Sequence, residues 1–222
     1  AYTNWDIASC HTSGLKQVAD KLADVGVEID VSAWETYDGK DAVAARTGLP
    51  ITLVKIVEHA IKYGAYLPAS IAQARAVFAD SSIDAEDLAL VKAAKKYADN
   101  PDDALQKLHD EFGAMRRVVK EISEALLSEY CSEHQSGGYM HNACGISILP
   151  SAHMEGHDRE AAAMAWMLQG LEAAFIHSLT ILGDRSDDFS VIANEHDGAI
   201  IRMETDDAQL TLLGPREPLE VV

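Results

Sequence analysis

Positive charge is what this chain has least of: 18 Lys and Arg stand against 36 Asp and Glu, a net charge of −18. Such a surface repels nucleic acid, anionic membranes and acidic partners at long range, so a DNA-binding role requires a locally basic face. Long apolar runs are also missing, and none approaches the roughly 20 residues that cross a bilayer. The opening Ala1-Tyr-Thr-Asn-Trp-Asp6 has neither the basic nor the apolar stretch of a secretion signal. Cysteine is limited to Cys10, Cys131 and Cys144. An odd number in a long chain argues against a disulfide framework and fits a reducing compartment where thiols stay available to metal. The expected location is the cytoplasm, or a particle assembled there. Glu-x-x-His, the mark of di-iron carboxylate bundles, occurs nowhere, which argues against the di-iron enzyme that an α-rich chain first suggests.

What is present is helical periodicity. With 48% hydrophobic residues, the 222-residue chain can bury a substantial core. Leu15, Val18, Leu22 and Val25 recur at three- and four-residue steps within a helix over 14–27. Ser70 to Ala79 is a further helix, and Ser82 or Asp84 is the expected N-cap of another through Tyr97. Leu105, Leu108, Phe112, Met115, Val119, Ile122 and Leu126 form the longest stripe, in a helix over 104–133. An Ala-rich helix from Ser151 to about Leu182 is apolar round most of its circumference, and Ala161 to Ala165 permit close approach of neighbours. Past Asp188 the period changes to short strands separated by turn residues. These patterns imply a mainly α fold, a helical domain over 1–185 carrying a small antiparallel β meander over 186–222. Phe189, Val191, Ile200, Ile201, Leu210, Leu212 and Leu213 supply the meander's apolar face. A few strands with open edges must pack on the helices or on another chain, and Leu219 to Val222 is expected to be buried in the same way.

Metal-ligating residue types concentrate in one loop over 131–144. Cys131-x2-His134 and His141-x2-Cys144 flank Gly137-Gly138, so a reversal at the glycines would bring two ligand pairs together as a tetrahedral zinc site. The six-residue spacer is shorter than in common zinc fingers. His153 and His157, four apart, form a second and weaker set: the spacing is that of HExxH proteases, but Met154 stands where the glutamate belongs. Cys144 beside His141 shows no independent sign of an activated nucleophile. Glu58-His59, His109-Asp-Glu111, Glu121-x2-Glu124 and Glu172-x4-His177 read as solvated faces or satisfied core histidines.

Asp41 to Ala60, within a unit over 41–63, resembles the helix-turn-helix of bacterial repressors. Ala44 stands at the tight helix contact, Gly48 at the turn, and Val43, Leu49, Val54 and Val57 at the apolar positions. The resemblance implies a second helix lying in the major groove. That helix offers Thr52, Lys55, His59 and Lys62 beside Glu58, with no arginine to read guanine, so packing is the favoured role for the unit, and nucleic acid enters only through Lys55 and Lys62. The expectation is therefore a non-enzymatic, zinc-stabilised subunit of a larger assembly, such as a virion, whose partners are copies of itself or other protein subunits. A helix-turn-helix regulator and a metal-dependent enzyme are the competing classes.

Overall fold

The computed structural model describes residues 2–6, 10–130, 139–148, 157–194 and 198–203. They form a mainly α protein with a small antiparallel sheet near the C-terminus. Two compact units divide the chain, His11–Leu171 on one side and Ala1–Cys10 with Glu172–Val222 on the other.

In the first unit, α1 (Cys10–Asp24), α2 (Ser32–Glu35), α3 (Lys40–Thr47), α4 (Ile51–Lys62), α5 (Ile71–Val77), α6 (Ala89–Tyr97) and α7 (Pro101–Tyr130) follow one another. All seven apolar residues of the long stripe on α7 are buried. That helix begins three residues before the expected Ala104: Pro101 loses nothing in a first turn, where its missing N–H has no partner anyway. Asp102 and Asp103 suit the positive end of the helix dipole. Against α7 pack Leu15, Val18 and Leu22 of α1, then Leu53, Val54, Val57 and Ile61 of α4. Val25 does not join them. The helix ends at Asp24, Gly26 takes the left-handed conformation at φ 89°, and Val25 is left 51% exposed. Ser70 caps α5 by accepting from the Gln73 N–H. Asp84 caps only a short 3-10 turn over Ala85–Asp87, and α6 starts later, at Ala89. Around that turn Ala74, Ala85, Val91, Ala94 and Leu105 form a small second core, with Glu86 above it bridging Arg75 and Lys95. Hydrogen bonds from these two cations hold the Glu86 carboxyl down to about 2.

The last long helix, α8 (His157–Arg185), belongs to the first unit as far as Leu171, where Ala163, Met164 and Leu168 enter the main core. A Cβ added at Gly64 would lie 3.8 Å from the Ala161 Cα, so the chain passes next to the Ala-rich segment, as its small side chains were expected to allow. A two-residue hairpin, β2 (Met140–His141) and β3 (Ser147–Ile148), also lies in this unit.

In the second unit the strand order is β1-β5-β4, all antiparallel, with β1 at Tyr2–Asp6, β4 at Phe189–Asn194 and β5 at Gly198–Met203. The meander thus differs from expectation: the third strand of its sheet comes from the N-terminus, paired from Tyr2↔Arg202 to Asp6↔Gly198. The polar sequence of β1 carries no apolar alternation, and its strand state is imposed by the partner. Leu210, Leu212, Leu213 and the Leu219–Val222 end lie outside the described residues. Leu179 of α8 packs with Phe189, Ala199 and Ile201. Gly183 brings helix and sheet together, since a Cβ there would sit 3.1 Å from the Val191 amide nitrogen. The register shifts between Val191 and Ala193, a bulge that leaves Ile192 outside the pairing and 50% exposed.

Candidate functional site

Of the six residues proposed as metal ligands, Cys131, His134 and His153 lie outside the described residues; His157 opens α8, but its side chain is likewise outside them. His141 and Cys144 share the β2–β3 hairpin, and both are exposed. The Asn142 side chain builds its turn, accepting from the Cys144 N–H at 3.0 Å and the Ile146 N–H at 3.1 Å, while Gly145 takes φ 72°. Ser147 faces His141 across the strands, Oγ 2.9 Å from Nδ1. That contact fixes the ring and leaves Nε2 as the nitrogen a metal would take, the arrangement by which neighbouring groups orient histidine ligands. The Cys144 thiol lies 3.5 Å from the Gly170 carbonyl oxygen. Among the described residues no group of three or more His, Cys, Asp or Glu is placed to hold a metal ion.

The hairpin is anchored on α8 through Gly170. A Cβ there would lie 2.5 Å from the Asn142 Cβ, and the Trp166 indole donates to the Ile146 carbonyl at 3.1 Å. Gly170→Ala should therefore destabilise the protein by about 1–3 kcal/mol of overpacking, against the roughly 1 kcal/mol that alanine gains over glycine in a helix. Gly113→Ala on α7, whose nearest neighbour would be His109 at 3.8 Å, should stabilise. Denaturant unfolding of the two variants side by side checks the sign.

The structure also assembles a polar centre that sequence reasoning missed. Lys62, one of the two lysines considered for phosphate contact, is buried. Its ammonium lies 2.7 Å from Glu58 Oε1 and 5.6 Å from the Trp34 ring centroid. Trp34 is itself buried, donates Nε1–H to the Met115 carbonyl, and meets Tyr37 edge-on at 6.1 Å. The Tyr37 hydroxyl is buried without a hydrogen-bond partner of ordinary length, and burial, then the Glu58 carboxylate, push its pKa well above the usual phenol range. The signal was available in part: Glu58 and Lys62 stand at i and i+4, the spacing of a helical ion pair. Beside this centre Arg46 clamps Asp38 and Glu111 at 2.8 Å each, over a cleft of about 270 Å³ that Tyr37, Val43 and Met115 help to line. Glu58 thus serves Lys62 while Asp38 and Glu111 share Arg46, and Glu58-His59 and His109-Asp-Glu111 pair with different cations.

Gly48 makes the expected turn between α3 and α4, at φ 70° with its N–H on the Ala44 carbonyl. The outward face of α4 presents Ile51, Thr52, Lys55 and His59. With Lys62 withdrawn into the core, Lys55 is the one lysine on that face. Burial, and then the Lys62 charge, lower the His59 pKa below the usual imidazole value.

In the second unit, α8 buries Ile176, Leu179 and Gly183. Phe175 and Leu182, seven residues apart on one helix face, are 37% and 49% exposed, and Ile181 is 36% exposed. Asp184, Asp187 and Asp188 follow, all exposed.

No protein-family model matches this chain, and a search of curated proteins finds no relative. Among the described residues no helix is long and apolar enough to cross a membrane.

Proposed function

We propose that the protein is a non-enzymatic interaction subunit of a larger protein assembly, such as a virion, with a zinc-stapled loop at 131–144. The observation that carries the interaction reading is the exposed apolar set of the second unit: Phe175, Ile181, Leu182 and, on β4, Ile192. Large apolar side chains left in solvent next to a small core mark surfaces that other proteins cover. The zinc reading is supported by the hairpin, which carries His141, hydrogen-bonded to Ser147, and Cys144, hydrogen-bonded to the Asn142 side chain, three residues apart. Cys131 and His134 are the proposed remaining ligands, completing a closed four-ligand site of the structural kind.

Both halves are testable. Light scattering of the purified chain, alone and with candidate assembly partners, should show association that Phe175→Glu and Leu182→Glu each abolish; a strictly monomeric protein indifferent to these changes overturns the interaction reading. Element-resolved analysis of natively purified protein should find one zinc per chain, lost in Cys144→Ser. Stoichiometric protein without metal removes the zinc staple and leaves the interaction surface standing.

A further inference from the structure

The cleft beside Arg46 is built by α2 with the turn after it, α3 and α7, all within the first unit. Val43 and Met115, both buried, join Ala114 and the Tyr37 ring in an apolar lining. Tyr37 is fixed there by Trp34 on one side and Phe112, at 5.9 Å between ring centroids, on another. The volume of about 270 Å³ lies just under the roughly 300 Å³ at which pockets for drug-sized molecules begin, which leaves room for a molecule of one ring. The rim is polar, and its hydrogen bonding is one-sided. Arg46 Nε reaches Glu111 Oε1 at 3.0 Å, Nη1 reaches Asp38 Oδ2 at 2.8 Å, and Nη2 reaches Glu111 Oε2 at 2.8 Å and Asp38 Oδ1 at 3.3 Å. Four of the five N–H groups of the guanidinium are thereby used, whereas a carboxylate has about four acceptor sites, so Asp38 and Glu111 keep acceptor capacity that Arg46 does not fill. The Arg46 hydrogen bonds also hold the Asp38 carboxyl below its usual value, and it stays charged. Among the residues lining the cleft, one cation shared by two anions leaves a negative charge uncompensated. Spare acceptors and negative charge at the mouth of an apolar slot complement a ring that carries an ammonium group.

We propose that this cleft binds a small arylalkyl amine, its ring against Val43 and Met115 and its ammonium donating to Asp38 and Glu111. An anion of the same size would have to displace a carboxylate from Arg46, since the guanidinium has one N–H left to offer. The amine displaces nothing. It leaves the Arg46 clamp closed and adds a second bridge between the turn after α2 and α7. The site is independent of the assembly reading, which rests on Phe175, Ile181, Leu182 and Ile192 of the second unit, so either can fail without the other.

The probe is phenethylamine, compared with the neutral phenethyl alcohol and the anionic phenylacetate, each titrated into the whole chain and followed by the NMR shifts of the Val43 and Met115 methyl groups. The amine should saturate in the millimolar range, as suits a ligand of about nine non-hydrogen atoms. It should bind about fivefold or more tightly than the alcohol, because hydrogen bonds to carboxylates from a charged donor are the stronger kind. Phenylacetate should bind weakest. Asp38→Asn together with Glu111→Gln turns the net charge of the lining from negative to positive and should reverse the order of amine and phenylacetate. Ala114→Phe, at an exposed position of α7, fills the cleft and should abolish the shifts while the protein stays folded. An amine that shows no saturation by about 10 mM overturns the proposal. So do equal affinities for amine and alcohol, phenylacetate as the tightest ligand of the unaltered chain, or shifts that persist in Ala114→Phe. Should the double variant fail to fold, the three ligands on the unaltered chain and on Ala114→Phe decide the matter. If a Lys-bearing peptide moves these signals and the free amine does not, the cleft receives a protein side chain and the small-molecule site falls.

Discussion

Lys62→Ala is expected to cost about 3–5 kcal/mol, because it strands the Glu58 carboxylate in a site where the pair is nearly shut off from water. The two side chains retain only 10% and 16% of their exposure, and the ammonium also sits over the Trp34 ring. Loss of the cation–π contact adds to the penalty. The double change Glu58→Leu with Lys62→Met should come back close to wild-type stability, since well-packed apolar residues often replace a buried ion pair without loss. Denaturant unfolding of Glu58→Leu, Lys62→Met and the double variant gives the coupling directly. A single-variant cost below about 1 kcal/mol would show the pair behaving as a surface salt bridge.

Trp34→Ala should be equally damaging, at about 3–5 kcal/mol, the range for deleting a large aromatic from a core. The indole is 2% exposed, and its loss removes the hydrogen bond to Met115, the edge contact with Tyr37 and the floor beneath Lys62. Trp34→Phe keeps most of the packing and should forfeit much less, chiefly the hydrogen bond at about 0.5–1.5 kcal/mol and a small void. Because whole domains are stable by only about 5–15 kcal/mol, the alanine variant is expected to unfold well below the wild-type temperature in a calorimetric scan. Equal melting of the alanine and phenylalanine variants would count against the account of Trp34 as a keystone of this core.

Both predictions concern residues whose importance periodicity does not reveal. Stripes on α1, α4 and α7 are visible because apolar residues at steps of three and four have one way to be buried, and Leu15, Leu53, Leu108 and Phe112 are all fully so. Lys62 falls on the buried edge of such a stripe, yet a lysine is read as solvated until its partner and the ring above it are known. Val25 fails for the opposite reason: it keeps the period but lies one residue past the helix end. The β1 strand fails because its only cause is β5, nearly the whole chain away. At the candidate metal loop the spacing of Cys and His was legible. Convergence on one point is a tertiary property, and the described hairpin supplies it for the orientation of His141 alone.

The pairing of β1 with β5 has a consequence for biosynthesis. A ribosome adding roughly 5–20 residues per second takes about 10–40 seconds to travel from the first strand to the one that completes it. All of α1 to α7 can find their partners during that interval, since their contacts lie within the part already made. The N-terminal strand cannot. It leaves the ribosome before α1 to α7 yet must wait for β5, so the newborn chain carries an unmatched strand edge until residues 198–203 are made.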